Sequence, residues 1–156
     1  MCLFCILLER GVFVNYDALR IAQYIIDYCN KKGISISHLK LQKLLYFVWI
    51  HYYKQTGEIL FDDNFSAWQL RPVVSEVYYS YCIFGGRPIN REYDVHLESS
   101  DKDIIDKFLK SYAHFSARYL VDKSHINGGA WDFVFGNGIG ENNTIPQEII
   151  IDLECK

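Results

Sequence analysis

The segment that follows Ser37 reads HLKLQKLLYFVWIHYYKQT, and it leaves the chain few ways to fold. At helical spacing Leu41, Leu45, Val48 and Tyr52 fall on one line, with Leu44 and Trp49 on its shoulders. The opposite flank is not cleanly polar, because Phe47 and Ile50 stand among Lys40, Lys43, His51 and Lys54. A helix that is apolar nearly all round has to be covered on more than one side. The spacing therefore predicts a central helix, capped by Ser37 and persisting to Thr56-Gly57, with the rest of the chain wrapped around it.

The flanking segments supply the wrapping. A helix is expected from about Tyr16 to Lys32, with Asn15 as its N-cap, Asp17 near its positive end and Gly33 as its stop. Ala18, Ile21, Ala22, Ile25, Ile26 and Cys29 form its buried stripe. Glu58 to Leu60 and Asn64 to Gln69 read as two extended segments of a small hairpin turning at Asp62-Asp63. Pro72 fits the first position of a third helix, which carries Val73, Val74, Val77, Tyr78 and Tyr81 and stops at Gly85-Gly86. Residues 87–99 read as a loop with a short strand near Val95. Ser100 and Asp103 resemble a capping box for a fourth helix that runs to about Val121, with Ile104, Ile105, Phe108, Tyr112, Phe115 and Tyr119 on its apolar face. Glycine-rich NGGAW and GNGIG bracket Trp131 and Phe135 and predict an irregular stretch or a short helical turn. A last helix is expected after Pro146, anchored by Ile149, Ile150 and Leu153. The fold class is thus mainly α: a compact single domain of four to five helices around a central apolar helix, with a small β-hairpin.

At 156 residues the chain suits one domain. Twelve Tyr and ten Phe give more ring area than one small core needs, so some rings are expected at the surface, where aromatic anchors favour protein contacts. The net charge of −3 gives no general pull toward nucleic acid, and no apolar run approaches the length of about 20 residues that spans a membrane. Five cysteines, odd in number and scattered, suit a reducing cytoplasm, and Cys2 and Cys5 make a lone CxxC without a second pair. Residues 1–14, opening MCLFCILL, stand apart from the pattern that begins at residue 15. They lack the basic flank of a signal peptide, which leaves an apolar arm that docks on a partner or a start codon set too early.

Catalytic chemistry is not legible. His38, His51, His96, His114 and His125 are isolated from one another, and no HExxH, GxSxG or zinc-deaminase pattern occurs. GNGIG lacks the Lys-Ser/Thr of a phosphate loop. No cofactor or metal is implied, and the chain reads as a binding module rather than an enzyme. His125, expected just past a helix C-terminus and packed on Trp131, is the most plausible centre for the rival reading of a small hydrolase. A nucleic-acid-binding regulator is the other rival and would need a local basic face.

Four blocks of the sequence carry a family resemblance: KLQKLLYF (Lys40 to Phe47), AW (Ala67, Trp68), PVVSEVY (Pro72 to Tyr78) and SHINGGAW (Ser124 to Trp131). In order and spacing they resemble the Panacea antitoxin domain, the SocA-like family also labelled phage-associated protein, over residues 16–151. The resemblance implies a helical domain over 15–156 that neutralises a cognate toxin by direct protein binding and is encoded beside diverse toxins on phages and other mobile elements. It also implies that some members act as adaptors delivering the toxin to a ClpXP-type protease. Leu41, Leu44, Leu45, Tyr46, Trp68, Pro72, Val73, Tyr78, His125 and Trp131 would be its structural motif positions. The family pattern has Gly-Pro-Val after the AW block, whereas Arg71 precedes Pro72 here; a residue before proline is pushed to extended geometry, which Arg can adopt.

For partner contact the residues favour the flank of Lys40, Lys43, Phe47, His51 and Lys54, which joins three lysines to a ring in a composition suited to an acidic partner protein. The alternative is that Phe47 is buried beneath another helix and the lysines form its solvated rim. Arg71 and Glu76, beside the Pro72-Val73 turn, are second choices.

Overall fold

The computed structural model describes residues 16–69 and 71–156. Helix α1 (Ala18–Lys31) starts at Asp17, whose Oδ1 accepts the Arg20 N–H at 2.7 Å. Asp17 thus holds the N-cap role expected of Asn15, and the expectations for residues 1–14 lie outside the described residues. Helix α2 (His38–Thr56) begins at Ser37, which accepts the Lys40 N–H at 3.3 Å, and ends at Gly57, whose left-handed φ of +71° suits a residue without Cβ. As expected, α2 is the spine: Leu41, Leu44, Leu45, Val48, Trp49 and Tyr52 are all buried. The stripe of α1 from Ala18 to Cys29 packs against it.

Of the two segments expected to form the hairpin, residues 64–69 supply a strand and residues 58–60 do not. Strand β1 (Phe65–Trp68) pairs antiparallel with β2 (Arg71–Val73), Trp68 facing Arg71. A short β3 (Thr144–Ile145) closes the other edge in the order β2-β1-β3. Residues 58–64 form no strand, because their polar groups serve the helices. The Phe61 carbonyl accepts from Trp49 Nε1 at 3.1 Å, and Asp63 Oδ1 accepts the Ala18 N–H at 2.8 Å. Pro72 lies in β2 rather than opening a helix, and β2 is an edge strand, where a missing N–H is tolerated. Helix α3 (Ser75–Tyr81) starts three residues later than expected and runs into a 3₁₀ turn, Cys82–Phe84. No strand forms near Val95; the N–H groups of Tyr93 and Val95 instead donate to the Asp27 carboxylate, at 2.8 and 3.1 Å.

The long fourth helix is two helices. Helix α4 (Ser99–Tyr112) and helix α5 (Ala117–Lys123) meet at an elbow, where Ser116 Oγ caps α5 by accepting the Tyr119 N–H at 3.1 Å. The expected Ser100/Asp103 box does not form. Two tyrosines fix the start of α4: the Tyr16 hydroxyl accepts the Glu98 N–H and donates to Asp101 Oδ2 at 2.8 Å, and the Tyr52 hydroxyl donates to Asp101 Oδ1 at 2.8 Å. Burial, together with the neighbouring Asp101, pushes the Tyr16 hydroxyl up to about 12. Helix α6 (Ala130–Phe135) carries Trp131, and α7 (Gln147–Glu154) follows Pro146 as expected. Seven α-helices and a three-stranded antiparallel sheet thus make up the described residues, and no helix among them is long and apolar enough to cross a membrane.

Asp101 is buried and holds two tyrosine hydroxyls from α2 and the entry to α1. Asp101→Ala leaves both hydroxyl donors without an acceptor and is expected to cost about 2–4 kcal/mol in urea unfolding, against about 1 kcal/mol for Tyr52→Phe, which removes one bond and one donor together. Equal losses for the two variants would contradict the Asp101 clasp.

Candidate protein-contact site

Two neighbouring polar residues of α2 hold the hairpin. Gln42 Oε1 accepts the Val74 N–H at 2.9 Å and its Nε2 donates to the Val74 carbonyl at 3.2 Å. Lys43 Nζ donates to the Pro72 carbonyl at 2.9 Å. Val74 is the N-cap of α3 but has no capping side chain, so the spine supplies the missing acceptor. Lys43 is therefore not on a solvated flank: it is 0 % exposed, and burial, aided by the Arg71 cation, lowers its amine to about 7. Lys40 is 6 % exposed, its Nζ donates to the Ser35 carbonyl at 3.2 Å, and burial lowers its pKa. Neither ammonium faces an incoming partner.

Arg71 departs from the extended geometry expected of it, adopting φ +88°, a conformation that favours glycine and costs a non-glycine residue about 1–3 kcal/mol. Its side chain supplies an offset. The guanidinium lies 4.2 Å from the centroid of the Trp131 ring, and Nη2 donates to His125 Nδ1 at 2.6 Å. A guanidinium only donates, so Nδ1 accepts and a neutral His125 carries its proton on Nε2. Trp131 is itself fixed, its Nε1 donating to the Trp68 carbonyl at 2.7 Å. His125 stands just past α5 and edge-on to Trp131, as the sequence suggests. Trp68, Arg71, His125 and Trp131, far apart in the chain, thus form one junction. Tyr78 meets Trp68 edge-on, and Tyr79 beside it is 69 % exposed. Glu76 is exposed on the first turn of α3.

The remaining predicted contact residues come together elsewhere. Phe47, Ile50, His51 and Lys54 of α2 form one wall of a groove of about 350 Å³, with Phe108 and Tyr112 of α4 and Lys123 of α5 opposite. Phe108 and Tyr112 stack at 4.6 Å, and the His51 ring lies tilted against Phe108 at 5.3 Å. Burial, then Lys107 and Lys54, keeps His51 below the usual histidine range, and its buried Nε2 has no hydrogen-bond partner among the described residues. Phe108 and Tyr112 share the apolar face expected of the fourth helix; Phe108 is buried in the core, while Tyr112, at the last turn before the elbow, is exposed. Among the described residues no three His, Cys, Asp or Glu side chains gather to hold a metal.

Residues 41–132 match the family model described as "Antitoxin SocA-like, Panacea domain". The chain belongs to the SocA-like Panacea family. Antitoxin SocA of Caulobacter vibrioides (strain NA1000 / CB15N) is 35 % identical over 141 residues, covering 82 % of this chain and 74 % of the relative. No solved structure matches the chain. The matched span of this Panacea domain contains the α2 apolar line, the hairpin, both groove walls and the Arg71–His125–Trp131 junction.

Two substitutions test the junction. Arg71→Gly and Arg71→Ala lose the same side-chain contacts, but only Gly relaxes the left-handed backbone; the Gly variant is expected to be the more stable by about 1 kcal/mol in chemical unfolding. Identical stabilities would mean that position 71 carries no backbone strain. Lys43 titrates near 7 when folded and near 10.4 when unfolded, so between these values the unfolded chain binds the extra proton and stability rises with pH. The stability difference between wild type and Lys43→Met is expected to shift in favour of wild type from pH 7 to 9, by at most about 1.4 kcal/mol per pH unit; a flat difference would contradict the burial of the amine.

Proposed function

We propose that this chain is the antitoxin of a two-protein pair and silences its cognate toxin by direct contact in the cytoplasm. The relationship to Antitoxin SocA across most of the chain carries the reading. The geometry agrees with it: Gln42, Lys43 and Trp131 Nε1 are bonded to backbone groups within the fold, while the exposed faces offer rings and lysines, a composition suited to protein recognition. Neutralisation then works by occupying the toxin, and needs no bond-making step in this chain.

Membership of the SocA-like family extends the reading to a second mode, in which the bound toxin is handed to a ClpXP-type protease. Co-expression with the protein encoded by the adjacent gene tests the first mode: growth is restored and the two proteins co-purify. Absence of both rescue and co-purification would overturn the proposal. Toxin half-life separates the modes, since delivery shortens it only in cells that contain the protease, whereas occlusion leaves it unchanged.

A further inference from the structure

We propose that the groove between α2 and the α4–α5 elbow is the surface that meets the toxin, and that it receives an acidic segment carrying apolar anchors. This rests on the antitoxin reading and adds the face and the chemistry of the partner. The floor is apolar and aromatic, formed by Phe47, Ile50, Phe108 and Tyr112, with Tyr112 open to solvent. The rim is cationic: Lys54 and Lys123 line it. Neither lysine is in an ion pair among the described residues, whose salt bridges are His96–Asp94 and Lys102–Asp106. No carboxylate among the described residues lines the groove, although the chain holds 19 acidic residues against 16 basic ones. A patch of one sign on a chain of the opposite net charge complements an acidic partner. His51 Nε2, buried without a partner among the described residues, adds a polar position that an incoming side chain can satisfy.

Other faces fit this partner less well. The larger cleft between α1 and α4 also carries lysines, but Asp27, Asp94 and Asp106 interleave with them and would repel an acidic segment. At the junction, Gln42, Lys43 and Trp131 Nε1 are already bonded to the hairpin.

The test titrates the full chain against a fluorescent amphipathic peptide of alternating Leu/Phe anchors and Glu, and against its Lys-for-Glu counterpart, by anisotropy. The acidic peptide is expected to bind at least about tenfold more tightly, and Lys54→Glu/Lys123→Glu to erase that preference. Tyr112→Ala should weaken the acidic peptide without changing net charge. Lys31→Glu/Lys32→Glu, with the same charge change outside the groove, should leave the preference intact. In cells, the groove double variant should lose rescue and co-purification while the α1 variant retains both. Rescue by a folded groove double variant would overturn the groove assignment and leave neutralisation standing. Failure of wild type to rescue would overturn neutralisation; acid preference lost only in the groove variants would then still support the groove's chemistry, and equal binding of the two peptides would overturn it. Concentration-dependent self-association abolished by the groove variants would instead seat a second copy of this chain there and overturn the assignment.

Discussion

Two consecutive side chains of the spine, Gln42 and Lys43, hold the hairpin in place, and much else follows from that clasp. Strands of four and three residues are too short to stand alone, and β2 is an edge whose proline removes a donor. Three backbone groups at Pro72 and Val74 bond to the spine. A shift of the hairpin by one residue would break all three bonds while turning its buried face outward. The clasp thereby fixes the position of Trp68, whose carbonyl orients Trp131, and of Arg71, whose guanidinium spans Trp131 and His125. The amine that makes this possible is pushed toward its neutral form by burial, which lets it donate without the full cost of an interior charge.

Much of this was readable from residue order. The spine, the α1 stripe and the last helix are long or sharply bounded periodic patterns, and each lies where its pattern places it. The hairpin was mislaid because Asp62-Asp63 carries turn chemistry, yet Asp63 is engaged at the head of α1. The break after Tyr112 was hidden because apolar residues spaced three and four apart satisfy a bent pair of helices as well as a straight one; Ser116 was the only mark of it. Lys43 misled for a related reason. A helical wheel sorts residues by their own helix, whereas burial depends on what packs against it, and here the hairpin covers the flank that looked polar. Of the contact residues read from sequence, Phe47, His51 and Lys54 share the groove; Lys40 and Lys43 are interior, and Arg71 belongs to the junction.

The two regions differ in kind. The junction ties Arg71 Nη2 to His125 and Trp131 Nε1 to the Trp68 carbonyl, and it sets where the surrounding elements sit. Among the described residues, the groove's lysines have no ion pair and one imidazole nitrogen has no hydrogen-bond partner. Such a division suits an antitoxin-family domain, since a partner gains little from groups that must first be pulled away from the protein's own backbone.

The walls of the groove belong to separately capped helices. Lys123 sits beyond the elbow, while Phe108 and Tyr112 sit before it, and the spine faces both. Exposed His114 can be exchanged at the elbow with the Ser116 cap of α5 kept, and neither residue takes part in the Gln42–Lys43 clasp. The shape of that recess is therefore set at one corner of the surface, apart from the apolar line of the spine that fills the core.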